Sequence, residues 1–102
     1  MLELRPTCEQ CNKKLAPDAT DAMICSFECT FCQGCVENTL NNVCPNCGGG
    51  FTFRPIRPQT NWKDNNTLER CPAGETIVFK PVDAEQHQQF AASIKDIPAH
   101  KR

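Results

Sequence analysis

The sequence is short of the material from which a small domain usually builds its core. It has 102 residues, no tyrosine, one tryptophan and six phenylalanines, and nine cysteines sit inside the 39% that counts as hydrophobic. In the first half the large apolar side chains are Leu2, Leu4, Leu15, Met23, Ile24, Phe27, Phe31, Val36, Leu40 and Val43. So few cannot bury enough surface to offset the entropy of ordering the segment, and a disulfide or metal staple is expected. No run approaches the roughly 20 apolar residues of a membrane-spanning helix, so no membrane anchor of that kind is expected. The opening Met1-Leu2-Glu3-Leu4-Arg5-Pro6 lacks the apolar stretch of a signal peptide. The expectation is a cytoplasmic protein, in a reducing compartment where clustered thiols read as metal ligands.

A basic balance and a catalytic constellation are missing too. The formal net charge is -1, without the basic footprint of a general nucleic-acid binder. There is no Ser/His/Asp set and no phosphate-binding glycine loop, which points to a non-catalytic protein. Internal repeats and low-complexity tracts are absent.

What the chain does have is cysteine at chelate spacing: Cys8-x2-Cys11, Cys25-x3-Cys29, Cys32-x2-Cys35 and Cys44-x2-Cys47. Such spacing lets both sulfurs of a pair reach one ion at about 2.3 Å, and zinc takes four ligands in a tetrahedron, so four pairs predict two zinc ions in two closed sites. A closed shell leaves no water position and indicates a structural metal. In Cys44-Pro45-Asn46-Cys47-Gly48 the proline sets the turn and the glycine tolerates the left-handed backbone that follows. Loading eight thiolates with two zinc ions would bring the net charge to roughly -5. An iron–sulfur reading fits less well. Cys29-x2-Cys32-x2-Cys35 with a later Cys44-Pro45 echoes a ferredoxin run, but the last gap is too long and Cys8, Cys11, Cys25 and Cys47 are stranded. Four pairs can be shared between two ions sequentially, interleaved or nested. Spacing does not choose, although interleaving ties distant segments together and would brace a domain that lacks a core.

The cysteines divide the chain into residues 1–50, a two-zinc module ending in Gly48-Gly49-Gly50, and residues 51–102, an extension expected to pack on or near it. Within the module Ala22–Cys25 and Glu28–Phe31 read as two short strands, and Cys32–Leu40 as a helix with Val36 and Leu40 on one face, ended by Asn41-Asn42. In the extension Phe51–Arg54 and Thr76–Phe79 read as two short strands able to pair. Between them Pro55, Pro58, Asn65-Asn66, Pro72 and Gly74 predict irregular chain, with Trp62 as a packing anchor. Asp83 and Gln86 form a capping-box pattern, and a helix is predicted from about Ala84 to Asp96, with Phe90, Ile94 and Ile97 on the side that packs on the module.

The order of pairs and gaps resembles the RING finger, with Cys29 where many RING domains carry histidine. RING domains are cross-braced. The resemblance therefore implies one site of Cys8, Cys11, Cys32 and Cys35, and a second of Cys25, Cys29, Cys44 and Cys47. The opening Leu2-Glu3-Leu4-Arg5-Pro6, the segment Ile24–Cys32 and the stretch Cys44–Gly50 also resemble a family of short bacterial proteins of unknown function. The RING likeness invites a ubiquitin-ligase reading. RING ligases usually carry an aliphatic residue between their first two cysteines, where the conjugating enzyme docks; here stand Glu9 and Gln10. They often carry a basic residue after the last cysteine; here it is Gly48. Pro45 matches, but serves the knuckle equally well.

The other reactive residues read as background. Cys71 stands alone as a free cysteine, and His87 and His100 read as solvated surface residues because eight cysteines complete both sites. Arg54, Arg57, Lys63 and Arg70 read as a solvated face, and Trp62, Phe51 and Phe53 as core rather than base-stacking residues. The sequence thus points to a small zinc-stabilised α+β fold, a RING-like cross-braced two-zinc module with an extension of two short strands and a helix. Its expected role is a protein-interaction or scaffold module with a protein partner. A nucleic-acid-binding zinc protein, a ligase and a zinc reservoir or redox sensor are the alternatives.

Overall fold

A computed structural model describes residues 1–102. Two short strands, β1 (Ala22–Ile24) and β2 (Thr30–Cys32), form a hairpin, with Ala22 opposite Cys32 and Ile24 opposite Thr30. Helix α1 (Gln33–Cys35) follows β2 directly and continues as a π-wound segment, Val36–Leu40, which buries Val36 and Leu40. Asn41 and Asn42 both take left-handed backbone (φ 54 and 56) and end it, as short side chains able to bond locally can.

The third strand, β3 (Thr52–Phe53), pairs antiparallel with β1, giving the sheet order β2-β1-β3. The expected pairing of Phe51–Arg54 with Thr76–Phe79 does not form. The open edge of β1 takes β3 instead, and Thr76–Phe79 runs without regular structure, with Ile77 and Phe79 exposed. The outer edge of β2 is closed by Glu9, whose amide donates to Thr30 O at 3.0 Å while its carboxylate accepts from Thr30 N at 2.5 Å. An edge strand otherwise leaves such groups unpaired. Glu9 is 2% exposed, and its charge is balanced by Arg5 Nη1 at 2.9 Å.

The core explains why so few apolar residues suffice. Its main cluster has eleven buried residues, five of them Cys8, Cys25, Cys29, Cys32 and Cys44, around Leu15, Phe31, Val36, Leu40 and Phe51. Phe31 and Phe51 meet edge to face with centroids 5.4 Å apart. Residues 54–83 contain no helix or strand and wrap the module through main-chain bonds from Gly74 N to Leu4 O and from Lys80 N to Glu9 O.

Helix α2 (Ala84–Ala92) starts at Asp83, whose carboxylate accepts from Gln86 N at 2.9 Å, as the capping pattern predicts. It ends four residues short of the predicted Asp96: the amides of Ile94 and Lys95 both turn back to Ala91 O. The residues it buries fully are His87 and Ala91; Phe90 and Ile94 lie beside Gly48 of the module, as expected, and Phe90 and Ile97 are only partly covered. Four further expectations are corrected. His87 is 4% exposed, because its ring finds a main-chain acceptor at Leu40. Arg54 is 4% exposed, because its guanidinium donates to Arg5 O and Ala16 O at 2.9 and 3.0 Å; burial draws its pKa down. Trp62 anchors nothing and is 81% exposed, and Phe53 points outward from β3 while Phe51 enters the core. No helix is long and apolar enough to cross a membrane.

Candidate metal centres

Two segments of the chain fold into the same turn. At Cys8–Lys13 the Cys8 amide donates to Lys13 O and the Asn12 amide to Cys8 O, both at 2.9 Å. At Cys44–Gly49 the Cys44 amide donates to Gly49 O and the Gly48 amide to Cys44 O, both at 2.8 Å. Each turn puts left-handed backbone just after its second cysteine, at Asn12 (φ 62) and Gly48 (φ 76). Glycine does this without strain and asparagine at small cost. Gly48 is as the knuckle reading requires. The equivalent role of Asn12 was legible only from its place after Cys11.

The other pairs are presented differently. Cys32 precedes the first turn of α1 and Cys35 ends it, so the two share a face three residues apart. Cys25 and Cys29 bracket the hairpin loop, where the Cys25 amide donates to Cys29 O and Glu28 takes left-handed backbone (φ 66).

These four presentations converge into two groups of sulfurs. Cys8, Cys11, Cys32 and Cys35 have all four Sγ atoms within 4.8 Å of one another, and Cys25, Cys44 and Cys47 form a second group by the same measure. Cys29 lies outside that 4.8 Å group, next to it. Its sulfur accepts a hydrogen bond from Asn46 Nδ2 at 3.3 Å and neighbours the thiol of Cys25. All nine cysteines are free thiols. Cys71 joins neither group; its carbonyl accepts from Arg57 Nη1. His87 bonds Leu40 O, and His100 lies exposed in the terminal turn Ala99–Lys101, so neither histidine joins a group.

The donor set suits a thiophilic cation. The amides of Phe27, Asn46 and Gly49 each point at a sulfur two residues earlier, on Cys25, Cys44 and Cys47, at 3.4 Å. The Gln10 amide bonds Cys8 and the Lys13 amide bonds Cys11 in the same manner. Amide donors aimed at sulfur favour the thiolate, the form that binds metal. Burial works the other way and pushes the Cys8, Cys29, Cys35 and Cys44 thiols up. It opposes ionisation of Cys11 too, but there the Lys13 amide and neighbouring thiols prevail and the pKa falls. Crowded, desolvated thiols that cannot all ionise alone can do so around a cation, which both groups could hold.

A family model described as a protein of unknown function (DUF1272) matches residues 1–57, which include all eight cysteines of the four pairs. An uncharacterised protein of Rhizobium meliloti (strain 1021) is 52% identical over 81 residues, covering 79% of this chain and 89% of that protein. No solved structure matches. By the extent of the family match and the identity to the Rhizobium protein, the chain belongs to this DUF1272 family.

Proposed function

We propose that the protein is a non-catalytic, two-zinc, RING-like cross-braced module that serves as a protein-interaction scaffold. The observation that carries this reading is the alternation of the sulfur groups along the chain. Cys8 and Cys11 meet Cys32 and Cys35, while Cys25, from between them, meets Cys44 and Cys47. With Cys29 as its fourth ligand, the second group would be a closed tetrahedron like the first. Zinc is favoured by the all-cysteine donor set. The Cys11 and Cys32 sulfurs lie 3.8 Å apart, and a tetrahedron of sulfurs about 2.3 Å from zinc has edges of about 3.8 Å. Nine free thiols suit the reducing cytoplasm.

The scaffold role rests on what the fold leaves outside. Phe27, Phe53, Ile56, Trp62, Ile77 and Phe79 are all exposed, apolar side chains that a protein partner could cover. Against ligase activity stands the use of the two positions between the first cysteines. Glu9 is buried against Arg5 and Thr30, and Gln10 Oε1 accepts from Val82 N at 2.8 Å. Glu9 is thus engaged within the module and Gln10 by the extension, so neither side chain is free for a conjugating enzyme.

The test has two arms. Metal analysis of purified protein should give two zinc ions per chain, and complete removal by a strong chelator should abolish the folded circular dichroism spectrum. Each structural site supplies on the order of 10 kcal/mol of folding energy. A spectrum unchanged after complete metal removal would sink the structural role. In the second arm the metal-loaded protein is used as bait, and capture of one stoichiometric protein partner is expected; turnover of ubiquitin in a purified conjugation assay would replace the scaffold reading with the ligase one.

A further inference from the structure

The two sulfur groups are not equivalent. The first is complete, with four sulfurs mutually within 4.8 Å; the second is three plus one, with Cys29 apart. The sulfur of Cys29 is held by Asn46 Nδ2 at 3.3 Å, a hydrogen bond from a side chain rather than from the rigid turn amides that serve Cys25, Cys44 and Cys47. Asn46 is held in turn by Lys80 Nζ, which donates to its Oδ1 at 3.4 Å, so the carboxamide spans from the extension to the thiol. Cys29 also follows Glu28, a non-glycine residue in left-handed backbone (φ 66), in a hairpin loop whose neighbour Phe27 is 72% exposed.

Each group has one exposed cysteine, Cys11 in the first and Cys47 in the second, and the second also borders two openings. Cys47 lines a groove of about 380 Å³ together with Phe27, Ile94 and Ile97. On another side Asn46 lines a cavity of about 400 Å³ with Lys80, Gln86 and His87. An incoming ligand therefore has room beside both Cys47 and the residue that holds Cys29.

We infer that the second site is the exchangeable one, with Cys29 as the ligand that leaves and Asn46 as the positioning residue that receives its sulfur. This rests on the two-metal reading above. In the exchange, an incoming thiolate or chelating donor forms a bond to the ion as the bond to Cys29 breaks. No electron is transferred, and the Cys29 sulfur departs as a thiolate stabilised by the Asn46 N–H. The remaining three sulfurs hold the ion until the acceptor supplies its next donor. The first site has no such departing ligand and keeps its ion.

The test is metal release from the full-length, two-zinc protein to the chromogenic chelator 4-(2-pyridylazo)resorcinol, with stopped-flow detection. Two phases of one ion each are expected, and Asn46→Ala, which removes the donor that receives the departing sulfur, should slow the fast phase about tenfold while leaving the slow phase unchanged. Cadmium-loaded protein should show two cadmium-113 resonances, of which one alone broadens on addition of a small free thiol. Cys29→Ser should retain the slow ion and lose the fast one. If that variant fails to fold, Asn46→Ala and the cadmium spectra decide alone. Release of both ions in one phase, or an Asn46→Ala variant with wild-type release, would overturn the inference. So would a Cys29→Ser variant that holds its second ion as firmly as the parent. Fewer than two ions in the starting protein would instead defeat the two-metal reading itself.

Discussion

The imidazole Nε2 of His87 lies 2.9 Å from the main-chain oxygen of Leu40, across 47 residues of chain. A carbonyl oxygen only accepts, so Nε2 carries the proton and donates. Leu40 ends the π-wound segment; its carbonyl accepts from the Val43 amide at 3.0 Å, and the extension supplies the imidazole as a second donor. His87→Ala should therefore cost about 0.5–1.5 kcal/mol for the hydrogen bond alone, since the Val43 amide still pairs the carbonyl. Denaturant unfolding of the metal-loaded protein measures it; a loss no larger than that of an exposed neighbour such as Gln88→Ala would show that the bond is idle.

The two matching knuckle turns make a paired prediction. Gly48→Ala places a Cβ on left-handed backbone and should destabilise by about 1–2 kcal/mol. Asn12→Gly relaxes the same conformation in the other turn and should be neutral or slightly stabilising. Thermal unfolding of both variants checks the pair, and equal effects of the same sign would contradict the equivalence of the turns.

Arg54 and Trp62 reverse the ordinary expectation for a charged and an aromatic side chain. Arg54→Met strips hydrogen-bond donors from Arg5 O and Ala16 O and should cost about 2–3 kcal/mol. Trp62→Ala should change stability by no more than about 0.5 kcal/mol, because the side chain is solvated. Urea midpoints at constant slope separate the two; a large loss at Trp62 would mean that it packs in solution.

Asp21 and Lys13 make an ion pair of 2.6 Å, and the Asp21 carbonyl also receives the amide of Gln33 at the start of α1. The hydrogen bond and charge of Lys13 hold the Asp21 carboxyl below its ordinary range and raise the ammonium. The carboxyl's contribution to stability is thus full above about pH 4, its unfolded value, and is lost as pH falls through the depressed folded value. That of Lys13 is full below its unfolded value near 10.4 and fades as pH rises beyond it. Both groups are solvent-facing, so the effect on stability is small. A carbon-detected titration should show Asp21 ionising at lower pH than in the Lys13→Met variant; coincident curves would remove the pair from consideration.

How much of this was legible beforehand varies with how local each feature is. The hairpin strands, the start of α1, the left-handed Gly48 and the Asp83 cap each depend on residues within a few positions of one another. Side-chain type and spacing therefore determine them. Pairing of β3 with β1 was not legible, because two extended segments compete for one open edge and the sequence does not rank them. Nor were the burial of His87 and Arg54. Such side chains read as solvated unless a carbonyl waits for them, and the carbonyls at Leu40, Arg5 and Ala16 lie 38 to 49 residues away.

The cysteines divide in the same way. The sequence by itself determined that eight thiols stand in four pairs, since a gap of two or three residues keeps both sulfurs of a pair within reach of one ion. Which pairs meet was decided only by the tertiary structure. It follows from a hairpin that carries Cys25 away from Cys8, and from a helix start that turns Cys32 and Cys35 back toward it. The position of Cys29 beside Asn46 was decided there as well, through a hydrogen bond spanning 17 residues that no spacing rule contains.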